Sequence, residues 1–256
     1  MSTKKFFIHG VPDCPKIWAP LIQELGLSED DYTAPSLPGF ESTPPKGFDR
    51  TKDAYVDYLI QKIEDVHTTS GPVDIVGHDW GGLLTLRITG LRPDLVRTWA
   101  VVNAAYAPKR TGHRAAKTWA VPVLGELFMM AITPKRLRAM AIRANMPLEM
   151  VEISVDLWKR GHIKKSIIGL YRSANGLNWI GSPWVDTLET LPKPGLVLWG
   201  ADDPFGPVEG GRYWAETYGF PFVQIDQAGH WVIAEKPEAI APALTKHWQR
   251  NDTKSE

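Results

Sequence analysis

Three residues are spaced along the chain so that they could act as one chemical unit. Asp79 sits at the centre of Gly77-His78-Asp79-Trp80-Gly81, Asp203 follows the apolar run in "LVLWGADDPFGP", and His230 lies in "QAGHWVIAEKPEAI". Each falls in a loop directly after a strand-like segment. An aspartate is already ionised near neutral pH, so it needs no base for its own attack and can displace at an electrophilic sp³ carbon. A histidine oriented by a second acid would then take a proton from water, and hydroxide would attack the carbonyl carbon of the Asp79 ester. General-base help of this kind is worth ~10² to 10⁴ in rate. Taken alone, Asp79 reads first as a helix N-cap, a common role for aspartate. The ordered trio of nucleophile, acid and histidine on three such loops favours the catalytic reading. Asp202, beside Asp203, is an acid of the same kind, and spacing alone leaves both open.

The elements must place these loops at one edge of a sheet. Gly77 and Gly81 flank Asp79 with the small residues that a sharp strand-to-helix turn needs, and the helix that follows points its amino end at the carboxylate. Strands are expected at about Lys5 to His9, in "PVDIVGHD", in "LVRTWAVVNAA" up to Asn103, in "KPGLVLWGADD" and in "FPFVQID". Helices are expected from Ile17 to Leu25, along the face of Tyr55, Leu59, Ile63 and Val66, from Gly82 to Arg92, from Val208 to Tyr218 and from Pro237 to Trp248. This alternation predicts an α/β fold with a parallel sheet covered on both faces. The pattern breaks from Pro108 to Leu188, where "VLGELFMMAI", "PKRLRAMAIRANM", "PLEMVEISVDLWKRG" and "KKSIIGLYRSAN" read as consecutive helices. Residues 1–107 and 189–256 therefore form the expected core, 108–188 a helical cap, and "NDTKSE" a polar, frayed tail.

Bulk properties narrow the partners. At 256 residues the chain suits one large α/β domain. Its 29 Lys and Arg balance 29 Asp and Glu, so no polyanion, nucleic acid or membrane is expected as a partner, and the substrate is expected to be small and neutral. The single cysteine, Cys14, excludes an intrachain disulfide and fits a reducing cytoplasm. The amino-terminal apolar run is too short for a signal peptide, and no segment approaches a membrane span.

Three motifs carry a resemblance to a known family. "HGVP" at His9 to Pro12, "GHDWGG" around Asp79 and "GHWVIAEKP" around His230 resemble, in this order and over almost the whole chain, the α/β-hydrolase superfamily. Within it the chain is similar to the branch with an aspartate nucleophile, the epoxide hydrolases and haloalkane dehalogenases. Members commonly have two further strands before the His-Gly loop, so the resemblance implies a sheet of about six mostly parallel strands. It implies a hydrolase without cofactor or metal, with water as second reactant. Asp203 becomes the preferred acid because it stands three residues after Gly200, and the strand ending at Asn103 offers none. The oxyanion hole falls to the backbone N–H groups of Val11 and Trp80, with His9, Gly10 and Pro12 shaping the loop.

The leaving group separates the two relatives. Epoxide hydrolases place a ring-opening tyrosine followed by arginine on a cap helix, and "IIGLYRSANGLNW" puts Tyr171-Arg172 in the matching place. Their second tyrosine is missing between Pro108 and Lys135, where His113 is the comparable donor unless Tyr106 reaches in. A halide needs two N–H donors. Position 11 is valine, so Trp80 would need help from a cap tryptophan, Trp119, Trp158, Trp179 or Trp184. The expected activity is opening of epoxides to diols, with haloalkane dehalogenation second and a binding protein that kept the pocket third. Ordinary ester hydrolysis is disfavoured because a carboxylate attacking an ester would give an anhydride. The cap is expected to roof an apolar pocket, with His113 and Trp119 against substrate and Met129 and Met130 in its lining. His78 is expected to pack, and Cys14 to be incidental.

Overall fold

Five apolar runs become strands and a two-residue sixth joins them: β1 (Lys5–Ile8), β2 (Tyr32–Thr33), β3 (Val73–His78), β4 (Val96–Val102), β5 (Gly195–Gly200) and β6 (Phe222–Ile225). The computed structural model describes residues 3–106, 112–192 and 194–252. The strands form one sheet in the order β2-β1-β3-β4-β5-β6, with every neighbouring pair parallel. All six residues of β3 are buried, as expected of a central strand covered on both faces. β2 has no periodicity to read, which is why the residue pattern alone yields five strands.

After β1 the chain moves outward to β2, then crosses back to lay β3 on the other side of β1. The order therefore reverses between β1 and β3, and loops leaving their carboxyl ends diverge around a crevice. His9 to Pro12 and Asp79 are the residues that enter it.

The flanking helices are α1 (Ala19–Glu24), α2 (Lys52–Ser70) and α3 (Trp80–Leu91). Thr51 caps α2, its Oγ1 accepting from the Ala54 amide at 3.2 Å, and Tyr55, Leu59 and Ile63 turn inward. α3 begins two residues before the predicted Gly82, because Asp79 itself takes the turn. Between β4 and β5 lie α4 (Arg114–Ala120), α5 (Leu124–Ala131), α6 (Pro134–Arg143), α7 (Leu148–Lys159) and α8 (His162–Ser173). α4 was not anticipated: it buries only Ala116 and so lacks an apolar stripe. The chain closes with α9 (Val208–Tyr218), α10 (Val232–Glu235) and α11 (Pro237–Asp252), the last running past the predicted end at Trp248. The expected cap boundary at Pro108 and the residues Thr253 to Glu256 of the tail lie outside the described residues. No helix among the described residues is long and apolar enough to cross a membrane.

Two contacts fix β3 at its ends. At the amino end the buried Asp74 accepts from Lys5 Nζ at 2.8 Å, Arg97 Nε at 2.9 Å and Thr98 Oγ1 at 2.7 Å, tying β1, β3 and β4 together. At the carboxyl end the backbone of Gly81 presses against β1, where a Cβ would overlap the carbonyl oxygen of Ile8. Gly81→Ala is therefore expected to lower stability by about 1–3 kcal/mol, as overpacking does, measured by urea unfolding; an unchanged midpoint would contradict the close approach.

Candidate active site

Asp79 is held in a backbone conformation that few non-glycine residues adopt, with φ 52° and ψ −123°. Its amide donates to Val102 O at 3.1 Å, while its carbonyl accepts from the amides of Gly82 and Leu83. The side chain makes no capping bond to α3. The N-cap reading of Asp79 therefore fails: its carboxylate is turned away from the helix, and Oδ1 accepts from the Val11 amide at 2.9 Å. A Cβ at Gly10 would lie 2.5 Å from Asp79 Cβ, so only glycine lets this loop come so near. As the first residue of α3, Trp80 has an amide with no acceptor inside the helix.

His230 and Asp203 meet Asp79 from the far loops. His230 Nε2 is 3.6 Å from Asp79 Oδ2, and its Nδ1–H donates to Asp203 Oδ2 at 3.0 Å. Asp203 also accepts from Asn103 Nδ2 at 2.6 Å and from the Phe205 amide at 2.8 Å. Asp202 is exposed, so the structure brings Asp203 to the histidine. Asn103 is a site residue that sequence reasoning passed over as merely not an acid. Its Oδ1 accepts from the Gly200 amide at 3.2 Å, which orients its NH₂ toward Asp203.

Charge follows from this packing. Burial alone would lower the pKa of His230, but the carboxylates of Asp203 and Asp79 outweigh it and hold the imidazole well above its ordinary value. Burial opposes ionisation of Asp79, yet hydrogen bonding and charge from His230, with the Val11 N–H, bring its pKa below the usual carboxylate value. Asp203 is likewise lowered against the effect of burial, by His230, Asn103 and the Phe205 amide. These shifts favour an imidazolium between two carboxylates.

A second layer supports it. The buried His78 donates Nε2–H to the backbone carbonyl of His230 at 2.7 Å, and burial, with the nearby His230, lowers its pKa to about 4. Asp13 accepts from Trp231 Nε1 at 3.2 Å and lies 4.0 Å from His78 Nδ1; burial, then the charge of Asp79, raises it to about 7. Nothing in its sequence position signals that role. His9 Nε2 accepts from the Leu37 amide at 3.0 Å, so its Nδ1–H donates to Gly10 O at 2.8 Å and braces the loop. Burial lowers the His9 pKa to about 4. Cys14 is buried and its thiol is pushed up to about 12, which leaves it protonated and unreactive.

Above the trio is a cavity of about 480 Å³, lined by Asp79, Trp80 and His230 below and by side chains of α4, α6 and α8 above. Val11 and Pro12 also line it. Tyr171 of α8 reaches the floor, its ring 5.3 Å from Trp80 and 4.7 Å from Trp119 between centroids. Burial, reinforced by the charge of Asp79, keeps its phenol pKa well above the ordinary value, so it remains a proton donor. His113 caps α4: its Nδ1 accepts from the Ala116 amide at 3.2 Å, which leaves the proton of the neutral ring on Nε2. Its ring stands 5.8 Å from that of Tyr171.

The tryptophans divide. Trp158 donates to Ile132 O and Trp184 to Asp53 Oδ1, whereas the buried indole nitrogens of Trp80 and Trp119 have no hydrogen-bond partner among the described residues. Trp158 and Trp179 line the cavity; Trp184 does not. Tyr106 packs on Trp179 and Trp184 away from the cavity. The expected lining by Met129 and Met130 is corrected: α5 turns Met129 inward and Met130 to the surface, and neither meets the cavity.

Known proteins share this architecture. The family model described as "Alpha/beta hydrolase family" matches residues 6–243. An (E)-2-((N-methylformamido)methylene)succinate hydrolase of Acinetobacter baylyi is 29% identical over 245 residues, covering 93% of this chain and 87% of the relative. A loop variant of a haloalkane dehalogenase from Bradyrhizobium elkanii superimposes with a TM-score of 0.79 at 18% identity, covering 99% of this chain and 91% of that one. A meta-cleavage product hydrolase from Pseudomonas fluorescens does so with 0.77 at 17%, covering 97% and 91%. At such identities the two structures speak for the fold alone.

The charge arrangement has a sign that pH can read. Stabilisation from the charged His230 is complete below its unfolded pKa of ~6.5 and is lost as pH rises through the raised folded value. Asp203→Asn removes one of the two carboxylates, so the His230 ring is expected to titrate at least about one pH unit lower than in the native protein. Nuclear magnetic resonance of the ring protons checks this; an unmoved midpoint would show that Asp203 does not hold the charge.

Proposed function

The chain belongs to the alpha/beta hydrolase family, and from that premise we propose an aspartate-nucleophile hydrolase that opens small apolar epoxides to diols. The observation that carries this reading is the Asp79 carboxylate, free of any capping bond, lining the same apolar cavity as the Tyr171 phenol, which burial and the Asp79 charge keep protonated. Oδ1 is engaged by the Val11 amide, so Oδ2 attacks the epoxide carbon. The ring C–O bond breaks, its electron pair goes to oxygen, and Tyr171 gives that oxygen its proton. His113, whose ring lines the cavity 5.8 Å from that of Tyr171, stands in the place of the tyrosine that the cap lacks.

Esterification removes the negative charge of Asp79. One of the two carboxylates holding the His230 proton is then gone, and the imidazolium releases its proton, which restores the phenol. Neutral His230, oriented by Asp203, takes a proton from water as hydroxide adds to the Asp79 carbonyl carbon. The resulting oxyanion on Oδ1 is met by the amides of Val11 and Trp80, donors of a kind worth roughly 3 to 4 kcal/mol each. Collapse breaks the ester C–O bond, the second water proton passes to the departing alkoxide, and Asp79 and His230 return to their charged forms.

A second reading has its own support. The unpartnered indole N–H groups of Trp80 and Trp119, both lining the cavity, suit a departing halide. The alkyl-enzyme ester and its hydrolysis are common to both readings.

Terminal and aryl epoxides and short bromoalkanes, followed for diol and bromide, distinguish them. Asp79→Ala is expected to abolish all turnover, and Tyr171→Phe to lower diol formation by about 10² or more while leaving bromide release within a few fold. Bromide release without diol, lost in Trp119→Phe and kept in Tyr171→Phe, would establish the second reading. Turnover persisting in Asp79→Ala would overturn both.

A further inference from the structure

The surface of the helical insertion is unlike the rest of the molecule. Residues 112–146, which hold α4, α5 and α6, contain six Lys or Arg and a single acidic residue, in a chain whose formal net charge is zero. That acid, Glu126, is paired with Arg172 at 2.9 Å, and Arg138 is paired with Glu152. Among the described residues, Arg114, Lys117, Lys135, Arg136 and Arg143 form no ion pair. All five are exposed.

The same segment carries an apolar surface. Eight of the thirteen exposed large hydrophobic residues described lie in it. Around α5 these are Val121, Val123, Leu124, Leu127, Phe128 and Met130, with Val123 and Met130 the most exposed at 69% and 73%. α6 adds Met140 and Ile142. The apolar surface joins the cavity: Phe128 packs on Trp119, whose ring lines it, and Met140 lines it while half exposed. Arg136 holds the two helices together by donating to Ala131 O at 2.8 Å.

We propose that this face, α4 to α6, docks on an anionic lipid bilayer, with α5 in the headgroup layer and the cavity mouth at Met140 opening toward the acyl chains. Exposed apolar side chains and unpaired cations carried by the same three-helix segment match both layers of such a surface, apolar contact below and acidic headgroups above. A second copy would match the apolar part alone and would bring five like charges against five. Neutrality over the whole chain, which predicts no membrane partner, averages over the basic segment 112–146. Docking would admit apolar solutes from the bilayer without crossing water, whichever leaving group the site serves.

Co-sedimentation with phosphatidylcholine vesicles, with and without phosphatidylserine, tests this on the native protein. Binding is expected only with phosphatidylserine and is expected to weaken as salt is raised. Lys117→Ala with Lys135→Ala should lower the partition coefficient about thirtyfold, at roughly fivefold per surface cation. Leu127→Ser with Met130→Ser should lower it about tenfold or more. All four side chains are exposed and outside the cavity lining, and circular dichroism would verify the fold. Equal binding to neutral vesicles, or none to either, overturns the proposal. So does concentration-dependent dimerisation that the Leu127→Ser, Met130→Ser variant abolishes, because the face would then be covered by a second copy.

Discussion

A carboxylate sunk at the foot of an apolar cavity must be matched by donors and by a cation, or it would take up a proton. The Val11 amide and His230 supply that match, and neither comes from the segment that carries Asp79. The requirement reaches through the fold. It needs β1 and β3 adjacent with the strand order reversing between them, a glycine at position 10 so that backbone can touch the aspartate, and a glycine at 81 so that α3 can start against β1. Asp74, at the opposite end of β3, ties β1, β3 and β4 by a second buried carboxylate.

The proposed chemistry uses the same balance as its switch. While Asp79 is charged, His230 keeps a proton and stabilises the nucleophile. Once Asp79 is esterified, that reason for keeping the proton disappears, and the histidine becomes the base that the second step needs. Asp203 is the constant partner, fixed by Asn103 and the Phe205 amide, so only one of the two carboxylates changes its charge during the cycle. Tyr171, pushed toward the neutral phenol by burial and by the same Asp79 charge, is coupled to the same event.

Much of this was legible because it is local. The parallel sheet follows from apolar runs alternating with amphipathic helices, and Asp79, Asp203 and His230 stand where strand ends place them. Whether Asp79 merely caps α3 was not legible, since both roles use the same residue in the same turn and only side-chain direction separates them. β2 and α4 escaped because a two-residue strand and a helix burying one alanine leave no period. Asn103, Asp13 and the hydrogen bond from His78 to the His230 carbonyl join residues up to 218 positions apart, including Asp13 and Trp231. No pattern along the chain reports such pairings. The expected Met129 and Met130 lining failed for a related reason: residue type suggested a pocket, but helix orientation decides which side a methionine takes.

In the proposed mechanism the attacking atom belongs to Asp79, and water enters only afterwards. One turnover in oxygen-18 water, with enzyme in excess over substrate, tests it by mass spectrometry of product and of the peptide containing Asp79. Attack by Asp79 is expected to leave the product hydroxyl unlabelled, its oxygen taken from the carboxylate, and to put label in Asp79. Label in the product with none in the enzyme would mean that water attacked the substrate directly, and the ester mechanism would have to be given up.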